Sequence, residues 1–148
     1  MKLPYFIVPL LVWVIIQFIK IVIDFIIERK INLEYLWRSG WFPSVHSGIS
    51  SSICFLVFWV NGRDSMEFAV CITFAVLFWY DAMNVRYEAG QHAKYLNTLR
   101  IEISDLLKFG QNYQLLKERL GHTIQEVSGG IVVGILLSYL VIILLWIK

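Results

Sequence analysis

The chain has 148 residues, 58% of them hydrophobic and only 16% charged, with a mean hydropathy of +0.66; a soluble domain carries roughly 45–50% apolar residues, so an all-α polytopic membrane class is indicated. The length suits a single integral membrane domain over residues 1–148. A net charge of +2, from 13 dispersed Lys and Arg against 11 Asp and Glu, excludes nucleic acid as a partner.

The first predicted element is an apolar run over residues 4–27, long enough to cross a hydrocarbon core of about 30 Å. It exceeds a signal-peptide core and ends in Glu28-Arg29-Lys30 without a small-residue cleavage site, so it reads as a retained first helix. Gln17, Lys20 and Asp24 follow at spacings of three and four and share one face. Charges within a span usually face a wet interior and mark function. The blander reading is a Lys20–Asp24 couple snorkelling to the nearer interface.

After a loop over residues 28–45, Gly40-Trp41-Phe42-Pro43-Ser44-Val45-His46-Ser47 opens a second apolar run over residues 46–60. Proline and serine at a helix start leave backbone N–H groups at the positive end of the helix dipole, which suits an anion, with His46 at its rim. This run is short, and crosses only if its serine-rich first turn is buried in protein. A tight turn over residues 61–65 leads to a third run over residues 66–83. Cys54 and Cys71 sit inside apolar runs and read as packing residues.

The long polar segment over residues 84–126 holds Leu96, Leu99, Ile103 and Leu106 at helical spacing, which predicts an interfacial amphipathic helix interrupted near Gly110. At its start, Asp81 is placed to orient Arg86, whose guanidinium can grip phosphate oxygens bidentately. At its end, His122 and Glu126 stand at i and i+4, so the carboxylate can accept one ring N–H and leave the other nitrogen as base or nucleophile. The last span covers residues 127–147, where Gly130, Gly134 and Ser138 form a small-residue stripe for packing within the bundle or in a homodimer.

Four spans would put nine cationic residues, Arg29, Lys30, Arg38, Arg86, Lys94, Arg100, Lys108, Lys117 and Arg119, on one side, against Lys2, Arg63 and Lys148 on the other. The positive-inside rule makes the nine-residue side cytoplasmic, in the cell membrane. Lys20, His46, Asp81, Arg86, His122 and Glu126 all reach that face.

These motifs resemble the divergent branch of the type-2 phosphatidic acid phosphatase superfamily, the acid phosphatase/vanadium-dependent haloperoxidase-related proteins. The family pattern is Gln-x-x-Lys in the first helix, Gly-Gly-Met-Pro-Ser-Ser-His-Ser, Tyr-Asp-Ala-x-Gly-Val-Arg-Arg-x-Ala-Gly and Leu-Gly-His-Thr-Pro-x-Glu-Val; here these fall at residues 17–20, 40–47, 80–90 and 120–127. The resemblance implies a phosphomonoesterase needing no metal or other cofactor. It makes His122 the nucleophile, Glu126 its orienting carboxylate and His46 the acid and base. Lys20, Ser44, Arg86 and Asp81 would serve the phosphate. The chain departs from the pattern at Trp41, Val45 and Tyr87, and lacks the Ser-Arg pair that precedes the nucleophile elsewhere in the superfamily.

The function expected is therefore removal of a phosphate monoester from a lipid phosphate, with membrane lipids around the site. An alternative is a non-catalytic protein that binds or translocates lipid phosphates with the same basic pocket. A third reading, a metal site from His46, His92 and His122 with Asp81 or Glu88, matches no zinc spacing.

Overall fold

A computed structural model of the chain describes residues 4–29, 41–107 and 114–145, which are helical apart from turns and one extended stretch. Lys2, Lys30, Arg38, Gly40, Lys108, Lys148 and the predicted break near Gly110 lie outside the described residues. The helices are α1 (Ile7–Glu28), α2 (Val45–Asn61), α3 (Met66–Tyr80), a π-helical turn (Asp81–Val85), α4 (Arg86–Leu107) and α5 (Ile124–Leu145).

Local chemistry explains the ends of the helices. Pro9 falls in the first turn of α1, where its missing N–H is not needed. Ser44 caps α2 by accepting from Ser47 N–H, and Ser65 caps α3 by accepting from Phe68 N–H at 3.2 Å. Gly62, at φ +82°, stops α2 with its N–H on Phe58 O.

Among the described residues, three helices are long and apolar enough to cross a membrane: Ile7–Ile27, Met66–Ile103 and Ile124–Leu145. The 17 residues of α2 reach about 25 Å at 1.5 Å per residue, short of a full core. Its first turn is buried in protein, as crossing requires: Ser44, Ser47 and Gly48 are all buried. The amphipathic segment is helical as expected, but it is no separate element. It continues α3 through the π turn to Leu107, about 60 Å in all and twice the hydrocarbon thickness. Leu96, Leu99 and Ile103 lie exposed along it.

α2 is the centre of the bundle, packed against α5, α3 and α1, with α1 also touching α5. The α2–α5 contact is built from small residues. A Cβ on Gly134 would collide with Gly48 O and Ser51 Oγ, and one on Gly130 with Ser44 O. Ser138 Oγ meets Ser52 Oγ at 2.7 Å, and Ser51 Oγ reaches Ile131 O at 3.3 Å. The small-residue stripe of the last span is therefore spent inside the bundle, where it lets two backbones approach closely.

Polarity runs along the bundle axis. On α1 the buried row Val8, Val12, Ile16, Lys20, Asp24 advances four residues at a time, apolar for three steps and charged for two. Its apolar end joins Leu56, Val141 and Ile142 in a dry core. The charged end faces the starts of α2 and α5. Outward, large apolar side chains such as Phe18, Phe74, Leu136 and Leu144 are exposed, as a lipid-facing surface requires.

The close α2–α5 approach sets the first prediction. Gly134→Leu forces backbone apart from backbone and should cost roughly 1–3 kcal/mol or more. Thermal unfolding in detergent micelles should show the loss, while Leu136→Ala on the lipid-facing side should stay within about 0.5 kcal/mol.

Candidate functional site

The wet end of the bundle gathers the residues singled out from the sequence. Its framework is backbone. Ser44 N–H donates to Glu126 O at 2.9 Å, joining the start of α2 to the first turn of α5. His122 N–H donates to Ala82 O, also at 2.9 Å, joining the approach to α5 to the π turn. The π turn makes the second bond available. Arg86 N–H bonds to Asp81 O, five residues back, instead of to Ala82 O, and Ala82 O takes His122 in its place. Such π bulges occur often at functional sites.

Glu126 does three things with one carboxylate. Its Oε2 lies 3.0 Å from His122 Nδ1 and accepts from Thr123 N–H at 3.0 Å. Thr123 Oγ1 in turn accepts from Glu126 N–H at 3.3 Å. Thr123 and Glu126 thus form a reciprocal capping box at the start of α5. Oε1 stands 3.7 Å from Arg119 Nη2, whose guanidinium lies 4.7 Å above the Trp41 ring.

His122 is 5% exposed. Burial disfavours the imidazolium and moves its pKa below the ordinary value near 6.5, against the opposing pull of the Glu126 hydrogen bond and charge; Lys20 and Arg86 push the same way as burial. The imidazole is therefore neutral at pH 7. With Nδ1 committed to Glu126, Nε2 carries the free lone pair. The His46 ring, the exposed side chain of an otherwise largely buried first turn of α2, has its centroid 6.3 Å from that of His122. The charges that act on His46 are Arg86, His122, Lys20 and Asp81.

Asp81 and Arg86 pair directly, Oδ2 to Nε at 2.8 Å, with both side chains partly exposed. That leaves the Nη groups of Arg86 for another acceptor. Lys20 and Asp24 are buried together on α1 at 5% and 4% exposure. Ser44 differs from expectation: it is fully buried, and its Oγ receives Ser47 N–H at 3.4 Å and Ser47 Oγ at 3.0 Å. With its own N–H on Glu126 O, Ser44 serves as helix cap and bundle pin. Any anion at this helix start would meet the first-turn N–H groups after it. His92 stands exposed on α4, and no group of three His, Cys, Asp or Glu among the described residues is placed to hold a metal.

Several contributors escaped the sequence reading. Thr123 had a signal, since Thr-x-x-Glu before an apolar run is the capping-box pattern, which gives Glu126 a second role beside that of His122 partner. Gly90 and Gly121 stand within two of the family motifs, but what they pack against is not legible in the sequence. A Cβ on Gly90 would meet Glu118 O, and Gly121, at φ +79°, lies against Tyr87 N and Ala82 O. Both let the stretch before His122 lie flat on α4. A cavity of about 300 Å³ opens beside His122, lined among others by Tyr87, Gln91, Lys94, Arg119 and Glu126.

The sequence matches the divergent PAP2 family over residues 1–137. The chain belongs to the divergent PAP2 family. It is similar to the uncharacterized membrane protein YuiD of Bacillus subtilis (strain 168), 35% identical over 131 residues that cover 82% of this chain and 83% of the relative. No solved structure matches it. As a divergent PAP2 protein with three membrane-length apolar helices, it is an integral membrane protein.

The pKa of His122 supplies a test. Its folded value lies below 6.5, so the unfolded chain takes up this proton first and acid below pH 6.5 destabilises the fold. Glu126→Gln removes the charge and weakens the hydrogen bond that favour the imidazolium, and His122 should then titrate lower still. Imidazole ¹⁵N NMR of the two proteins checks this; an upward shift would contradict the geometry.

Proposed function

We propose that this divergent PAP2 protein is a phosphatase that removes a phosphate monoester from a lipid phosphate through a phosphohistidine, with the site on the cytoplasmic side of the cell membrane. One observation carries the reading: a buried, neutral imidazole held by a carboxylate through Nδ1, with a second imidazole at 6.3 Å and two cations acting on both.

In the first step His122 Nε2 attacks phosphorus as the P–O bond to the lipid breaks, and His46 gives its proton to the departing alkoxide. In the second, His46 takes a proton from water, the water oxygen attacks phosphorus, and the N–P bond breaks to release inorganic phosphate. Negative charge on the non-bridging oxygens is met by Arg86 Nη, by Lys20 and by the first-turn N–H groups of α2. Asp81 aims Arg86, and the Glu126 carboxylate offsets the positive charge that forms on His122. Removing a positioned acid–base group typically costs 10²–10⁴ in rate.

A lipid substrate fits because the site lies at the end of a bundle whose outer surface is apolar, so a phosphate on a hydrocarbon anchor reaches it from the bilayer. The residues that do the chemistry require no metal ion for either step.

Phosphate release from phosphatidate or a polyprenyl phosphate, measured with EDTA present, tests the proposal. His122→Ala should abolish release, and His46→Ala should slow it about 10²-fold or more while ³²P-labelled phosphoprotein accumulates. Equal rates for the unaltered protein and His122→Ala would end the mechanism. Failure to trap any phosphohistidine, with lipid binding lost in Arg86→Ala, would favour a non-catalytic lipid-phosphate binder.

A further inference from the structure

The stretch over residues 114–120 has no regular secondary structure and residues 114–119 are exposed, yet it delivers His122 to its place. Ordering such a stretch costs about 1–2 kcal/mol per residue in backbone entropy. Apolar burial does little to offset this, since Leu115 and Leu116 are 53% and 45% exposed. Hydrogen bonds must hold it.

They converge on Asn97. Its side chain is 3% exposed in the middle of a mostly exposed helix. Nδ2 donates to Leu116 O at 2.9 Å and to Glu118 Oε1 at 2.8 Å, and Oδ1 accepts from Leu116 N–H at 2.9 Å. Both amide hydrogens are used, and the side chain grips both backbone groups of Leu116 as a neighbouring strand would. Gly90, Ala93 and Asn97 are the buried positions among the residues of α4 whose burial is described, spaced i, i+3 and i+7 along one face. The stretch is thus strapped to that face at three levels: Asn97 on Leu116, Gly90 beneath Glu118 and Leu120, and Ala82 O on His122 N–H.

We infer that Asn97 is a positioning residue for His122, acting along the strap to fix the imidazole against Arg86 and Asp81, which ride on the same continuous helix. The inference rests on the reading of His122 as nucleophile. Asn97 makes its bonds to the outer end of the strap from a buried position, whereas Arg100 reaches Gln114 O at 3.5 Å from an exposed one.

Hydrogen exchange on the full chain in nanodiscs tests this without requiring turnover. In Asn97→Ala the Leu116 and His122 amides should exchange about tenfold faster or more, while the amides of α2 and α5 keep their protection. Glu118→Ala, which removes one of the three bonds, should move the same amides in the same direction by less. Lipid phosphate release by Asn97→Ala should fall about tenfold in kcat with KM within about twofold, the signature of a misplaced reacting group. Unchanged exchange at His122 in Asn97→Ala overturns the inference. Faster exchange in that variant, with no release by the unaltered protein, supports the strap and counts against the phosphatase instead.

Discussion

The rest of the structure depends on how closely α2 and α5 approach. Glycine at 130 and 134 on one helix faces Ser44, Gly48 and Ser51 on the other, and no side chain larger than hydrogen fits between those backbones. In a bilayer, where apolar contact with lipid is as good as apolar contact with protein, such backbone proximity is a main source of helix association. Here it also sets distance. Because the helix starts lie side by side, Ser44 N–H reaches Glu126 O, and the first turns that carry His46 and Glu126 are held in one plane of the bundle.

The second constraint is the π turn. One extra residue in the turn rotates α4 relative to α3 and frees Ala82 O to receive His122 N–H. The same irregularity pairs Asp81 with Arg86, five apart instead of four. A regular helix through residues 81–86 would have satisfied its own carbonyls and offered His122 no dock. The irregular stretch before His122 is tolerated because it lies on protein, strapped to α4, and not in hydrocarbon.

Electrostatics at this end of the bundle are arranged around one carboxylate. Glu126 caps α5, orients His122 and faces the Arg119 guanidinium on Trp41. Trp41 is a departure from the family pattern, where a glycine stands. In the structure it is the platform for Arg119, the cation just before His122, so the departure brings a charge to the loop instead of leaving a gap. Burial and the nearby cations then keep His122 neutral, the state in which an imidazole nitrogen is a nucleophile.

Composition and periodicity alone determined the membrane class, the helical elements and the side of the bundle at which Lys20, His46, Asp81, Arg86, His122 and Glu126 meet. These are one-dimensional signals: apolar runs of span length, caps at Ser44 and Ser65, and i, i+4 pairing at His122 and Glu126 all depend on neighbours in sequence. Ser44 was legible as a helix start but not as a buried pin, because its partner Glu126 is 82 residues away in sequence. The continuity of α3 with α4 was hidden as well, since the polar residues after Asp81 read as a break where the chain inserts a π turn. Tertiary structure decided that turn, the use of the small-residue stripe against α2, the Trp41–Arg119 stack and the strap on Asn97. Each joins backbone or side-chain groups from elements far apart in the chain, through contacts that leave no local periodicity to read.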